Sequence, residues 1–207
     1  MKITRASLRN FRRLEDVEID FEPEETVFVG PNNSGKTSAT TAFRLFLDSH
    51  DFKIHDFSVS RIADIDAFGG MDEDDASVEL PSIEMDLWLS IDPDIEFGSV
   101  FSLIPNVSAA LDEVGVRIKY CVKDSKKLQS DYWSAFPIQE NGGRTENLAH
   151  FLSLPSNLSR YFSLTYSTLE DTGDEVVAHP MNPDEAKKSL KSLIRVDFVD
   201  AQRNIDD

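Results

Sequence analysis

The 207-residue chain carries 38 acidic against 21 basic side chains, a formal net charge of −17 at pH 7. That length suits one domain, or one domain with an insertion, and is enough to bury a core. The single cysteine, Cys121, excludes an internal disulfide and suits a reducing compartment, and no segment approaches the ~18 apolar residues of a membrane span.

Residues 1–13 hold Lys2, Arg5, Arg9, Arg12 and Arg13 and no acid, whereas residues 62–116 hold 14 Asp or Glu and no Lys or Arg. Such an acidic stretch repels a nucleic-acid backbone, so it is not expected to contact DNA. It reads as a solvated face, with a docking surface for a basic partner as the sharper alternative. The N-terminus lacks the apolar stretch of a signal peptide, so a cytoplasmic protein is expected.

Residues 2–8 alternate as a strand, residues 10–13 form a turn, and residues 17–21 alternate as a second, half-buried strand. Thr26, Val27, Phe28 and Val29 are β-branched or aromatic, the composition of a buried strand. Residues 36–49 place Ala39, Ala42, Phe43, Phe46 and Leu47 near one helical face. Residues 51–80 show little periodicity, and Gly69-Gly70 with the acidic run at 72–75 predicts an exposed loop. Ile83, Met85, Leu87 and Leu89 alternate in a strand.

A short helix is expected over 107–114, stopped by Gly115. Val116, Ile118, Tyr120 and Val122 then alternate in a strand, with residues 126–133 as its hairpin partner and Cys121 buried. Residues 141–143 are a turn, 148–154 a helix ending at Pro155, and 161–169 a strand. Pro183 and Asp184 open a helix reaching Leu193, with lysines in its far half as the dipole prefers. A last strand is expected over 195–200.

Gly30, Pro31, Asn32, Asn33, Ser34, Gly35, Lys36 and Thr37 form a complete G-x-x-x-x-G-K-T phosphate-binding loop, followed by Ser38. The chemistry sets the spacing. Gly30 and Gly35 permit backbone angles and close approach that a side chain would block. The turn points successive N–H groups inward, and the positive end of the following helix adds to that field. Lys36 reaches the β- and γ-phosphates, and the Thr37 hydroxyl suits Mg2+, a hard ion that prefers oxygen. Asn33 is first a turn former and second a γ-phosphate neighbour. His50, His55, His150 and His179 lack metal-ligand spacing.

Several enzyme classes share this loop. No Asn/Thr-Lys-x-Asp motif is present for a GTPase, and the middle of the chain is too poor in arginine for the lid of a small kinase. Three stretches resemble the ATPase head shared by SMC, RecF and OLD-family (overcoming lysogenization defect) proteins. They are Leu8-Arg9-Asn10-Phe11-Arg12, the loop from Val29 to Thr37, and Val199-Asp200-Ala201-Gln202-Arg203. The Asn33-Ser34 variant and the closing D-A-Q-R look most like the OLD family, whose members typically fuse the ATPase to a Toprim nuclease and act in DNA transactions and phage defence.

The resemblance implies an α/β P-loop NTPase fold: lobe I of an ABC-type head, with a parallel-strand core beside antiparallel strands. It implies ATP and Mg2+ as cofactors. Lys36 and Thr37 would take phosphate and metal, Gln202 would approach Mg2+ and the attacking water, and Arg12 would lie near the phosphates. No signature motif, Asp-Glu-terminated strand or Toprim cluster is seen. The chain is therefore expected to be the N-terminal half of a head, with residues 51–160 as an acidic inserted or β-rich subregion. Its partners would be the remaining half, a second head in a homodimer, and DNA through the parent protein, with no membrane. An SMC- or RecF-like repair ATPase half, and a stand-alone nucleotide-binding module without catalysis, stay open beside it.

Overall fold

A computed structural model describes residues 2–71, 79–92, 100–105, 112–140 and 142–197. Strands β1 (Lys2–Phe11) and β2 (Leu14–Asp20) form a hairpin whose two-residue turn is Arg12-Arg13. Arg12 takes a left-handed φ of 51°, the sign that a tight hairpin turn demands. β3 (Ile83–Ser90), β4 (Glu113–Val122), β5 (Phe162–Asp171) and β6 (Val176–Pro180) complete a six-stranded sheet ordered β2-β1-β3-β4-β5-β6. Every pairing between these strands is antiparallel.

The period of two in each strand gives the sheet two unlike faces. Ala6, Leu8, Met85, Leu87, Val116, Ile118 and Tyr120 point to the helical side and are buried. Side chains such as Leu8, Met85 and Ile118 each contribute about 1.5–3 kcal/mol by leaving water. The helices over this face are α1 (Lys36–Arg44), which passes straight into a π-helical turn at Leu45–Ser49, α2 (Val59–Gly69), α3 (Ser125–Ala135), α4 (Leu148–Ser153), α5 (Asn157–Tyr161) and α6 (Pro183–Leu193). Between α1 and the sheet lies an aromatic layer. Phe52 stacks on Tyr120 at 4.2 Å between ring centroids, and Phe46 and Phe162 meet Phe52 and Phe57 edge-on.

The opposite face carries charge. Arg9 donates to Asp86 at 2.6 Å and to Glu84 at 3.2 Å, and Arg117 grips both Asp86 oxygens at 2.7 and 2.8 Å. Lys119 lies 3.2 Å from Glu84. The basic N-terminal strand and part of the acidic middle stretch therefore neutralise one another across β1, β3 and β4. Burial raises the Glu84 pKa, but Lys119 and Arg9 outweigh it and hold this carboxyl below its ordinary range. The hydrogen bond to Asp86 raises the Arg117 pKa despite burial.

Several expectations are corrected. Residues 26–29 belong to none of the six strands. Thr26 and Phe28 are half-buried while Val27 and Val29 are 66% and 88% exposed. The segment has strand composition, but no strand among the described residues runs beside it, so the expected parallel pairing is not seen there. Within the stretch 51–80, expected to lack periodic structure, residues 59–69 are helix α2 with Ile65 and Phe68 buried, while the acidic run at 72–75 of the expected loop lies outside the described residues. Residues 126–133 lie in α3, capped by the Asp124 side chain accepting from the Lys127 N–H at 2.9 Å.

Val114 and Gly115 sit in β4, where a Cβ on Gly115 would come within 2.7 Å of Trp88 and Leu169. Glycine there lets Trp88 lie across the strand; the rest of the helix expected over 107–114 falls mostly outside the described residues. Cys121 points to the charged face beside Thr165 and is half-exposed, not buried. Residues 194–197 are irregular, and the remainder of the last expected strand lies outside the described residues.

Candidate phosphate-binding site

The β1–β2 turn, the phosphate loop with the start of α1, and residues 55–62 surround a cavity of about 630 Å3. Its walls include Arg12, Arg13, Asn32, Asn33, Ser34, Gly35, Lys36, Thr37 and Ser38 on the polar side, and Phe57, Val59 and Ile62 on the apolar side, with His55 between. Sequence reasoning picked out Arg12 and the loop residues. The fold brings them together although strand β2 intervenes in the chain.

Gly35 carries the turn. Its φ is +97°, and a Cβ there would meet Leu14 Cδ2 at 2.9 Å. Asn33 also sits in the left-handed region at φ 68°, consistent with its reading as a turn former. A Cβ on Gly30 would stand 2.9 Å from Ser34 Oγ, so the two ends of the loop approach closely. The Ser34 N–H donates to Pro31 O at 3.3 Å, and the Ala39 N–H to Gly35 O at 2.9 Å.

No side chain caps α1 and no acid stands in its first turn. The N–H groups and dipole of that turn are therefore offered to an anion. Lys36 curls back over its loop, with Nζ donating to Gly30 O at 2.6 Å, Pro31 O at 2.7 Å and Ser34 Oγ at 3.3 Å. This places its charge in the loop's concavity, where phosphate oxygens can replace the carbonyls as acceptors. Thr37 and Ser38 line the same cavity.

The electrostatics are one-signed. Arg12, Arg13 and Lys36 line the cavity, and among the described residues no carboxylate does. Arg13 also donates to Asn33 O at 3.4 Å, tying the hairpin turn to the loop. Among the described residues no cluster of three His, Cys, Asp or Glu is placed to hold a metal ion. The hydroxyl-bearing residues in the cavity wall are Ser34, Thr37 and Ser38. Gln202, the other expected metal neighbour, lies outside the described residues. Arg13, His55 and the apolar wall were missed from sequence. Arg13 had only its place beside Arg12 to mark it; the others are assembled by packing.

The AAA ATPase domain family matches residues 1–206. The chain belongs to that family. Such a domain is an ATPase domain of the P-loop type, in keeping with the loop and α/β architecture described above. The chain is also similar to the DNA replication and repair protein RecF of Lactococcus lactis subsp. cremoris, strains MG1363 and SK11, at 43% identity over 42 residues. That match covers 20% of this chain and spans 12% of the length of those curated relatives. Among solved structures, a chain from work on the structural biochemistry of ATP-driven dimerization and DNA-stimulated activation of SMC ATPases aligns with a TM-score of 0.37 at 14% identity. It covers 94% of this chain and 100% of that one. Among the described residues no helix is long and apolar enough to cross a membrane.

Proposed function

We propose that this AAA ATPase domain binds ATP–Mg2+ at the phosphate loop, and that it does so as the N-terminal half of an ABC-type head. The observation that carries the first part is the cationic cavity with an uncapped helix start and Lys36 held within the loop. The donor set fits a triphosphate: backbone N–H groups, two guanidinium groups and an ammonium. For the metal, Mg2+ keeps several waters and takes phosphate oxygens, so a single Thr37 hydroxyl is an adequate protein contribution. When bound, the ion would neutralise charge on the phosphates.

The half-head reading is supported by what surrounds the loop. Among the described residues no carboxylate lines the cavity, so on this reading the residue that activates water comes from outside them. Val27 and Val29 lead into the loop with their side chains in solvent. The remaining half of the head is the partner proposed to cover them, and a second head would complete an ATP-bridged homodimer.

Coupling to DNA cleavage, as in an OLD-type nuclease, rests on the likeness at residues 8–12 and 29–37; its third stretch, 199–203, lies outside the described residues. The short similarity to a DNA replication and repair protein favours a RecF-like repair ATPase as the second reading. Placement in the cytoplasm is supported by the single, half-exposed cysteine.

Calorimetry with ATP and Mg2+ on this chain, together with a turnover assay, tests the reading. Lys36→Ala is expected to abolish binding and leave the fold intact, since the bonds it removes lie within its own exposed loop. Unchanged affinity would sink the assignment. Robust Lys36-dependent turnover would instead remove the half-head part, because the water-activating acid would then already be present.

A further inference from the structure

The hairpin turn that carries Arg12 is locked to the segment before α2. The Arg12 N–H donates to Asp56 O at 2.8 Å, and the Ser58 N–H to Asn10 O at 3.0 Å. Phe11 and Phe57 form an antiparallel bridge between these contacts. Asp56 itself is 1% exposed, an unusual place for a carboxylate unless it is paired. Its Oδ1 accepts from Arg12 Nε and Nη2, both at 2.8 Å, and its Oδ2 accepts from the Lys53 N–H at 2.8 Å. Phe52 and Phe57, on either side, are buried in the aromatic layer, so the carboxylate stands on a rigid base.

One edge of the Arg12 guanidinium is thus held, and the group lies over the Phe11 ring at 5.2 Å. The opposite edge faces away from Asp56. The Arg12 side chain is 31% exposed and lines the cavity with the phosphate loop. A buried ion pair is weak evidence for stability, because desolvation offsets much of the attraction. Holding a planar fork in one orientation is what a carboxylate does well.

We propose that Asp56 is a positioning residue for nucleotide binding: it fixes Arg12 so that the free edge of the guanidinium meets the phosphate chain of the nucleotide opposite Lys36. This rests on the phosphate-loop reading above. Asp56 touches no ligand itself and acts through Arg12. A carboxylate 44 residues from its arginine has no local motif, so sequence inspection passes over it.

The test is a double-mutant cycle on the full chain, read as ATP–Mg2+ affinity by calorimetry, with Lys36→Ala as the loop control. Asp56→Asn is expected to weaken binding roughly tenfold or more, the scale of a lost charge-assisted hydrogen bond. Arg12→Ala should weaken it at least as much, and Asp56→Asn should add nothing in the Arg12→Ala background. An unaltered affinity in Asp56→Asn, or losses that multiply in the double variant, would overturn the role. A merely structural Asp56 would lower the thermal midpoint without this coupling.

Arg12→Lys keeps a cation against Asp56, and so protects the fold should Asp56→Asn lose it. It lacks the rigid fork, so it too is expected to bind ATP roughly tenfold more weakly, and wild-type affinity there would also overturn the role. A wild-type chain that binds no ATP removes the phosphate-loop reading and this role with it. Lys36-dependent binding without coupling removes this role alone.

Discussion

Gly35 is where local sequence and tertiary packing constrain the same atom. It needs a left-handed backbone to start α1, and it has no room for a methyl group because Leu14 of the neighbouring strand is against it. Gly35→Ala is therefore expected to cost about 1–3 kcal/mol, from a non-glycine residue in that region together with the contact. The thermal midpoint checks this, and a midpoint within error of wild type would show that Leu14 yields and the loop relaxes.

At this scale the site was partly legible. Gly30, Gly35, Lys36 and Thr37 announce themselves because phosphate binding fixes their spacing within eight residues. Arg12 could be read only through resemblance. Asp56 was invisible, because its meaning depends on a contact across 44 residues. His55 sits in the cavity wall for the same kind of reason, carried there by the segment that anchors Asp56.

Elements were legible where one signal dominated. Helix α6 follows from Pro183 at its first position and an Asn182 cap that accepts from the Asp184 and Glu185 N–H groups. Helix α3 was misread because Leu128, Tyr132 and Trp133 look like strand residues by type. The buried pair Leu128 and Tyr132, four apart, is helical by spacing. Helix α2 was missed because Val59, at its start, is 82% exposed and acids interrupt its apolar face.

The strands β1, β3 and β4 were clear by alternation, but the pairing of their charges was not, since it depends on strand order. That pairing predicts a pH response. Glu84 has a folded pKa below its ordinary 4.5, so its contribution to stability is present above that value and lost as pH falls through the lower, folded one. Glu84→Gln should unfold at lower urea than wild type at neutral pH, with the gap closing as pH falls through the lowered folded pKa. A gap that stayed constant across that range would mean the charge on Glu84 contributes nothing.

On the scale of the whole molecule, the fold class was legible and the surroundings of the phosphate loop were not. The segment Thr26 to Val29 has the composition of a central strand, and sequence alone places it inside the sheet. The described sheet instead leaves it out, with β2 at one edge and β6 at the other. An aspartate at a buried strand position leaves a charge without water and is strongly destabilising. At a position 88% exposed it should shift stability by no more than about 0.5 kcal/mol.

Val29→Asp is accordingly expected to keep the urea midpoint of wild type and to reduce any concentration-dependent association seen by sedimentation, since it removes an exposed apolar side chain from an unpaired segment. Docking of the remaining half of the head on this segment, as proposed above, would make the same substitution damaging in the assembled protein while it stays silent in the isolated chain. A large loss of stability in the isolated chain would instead mean that the strand is already covered, and the proposed partner would have no seam to occupy.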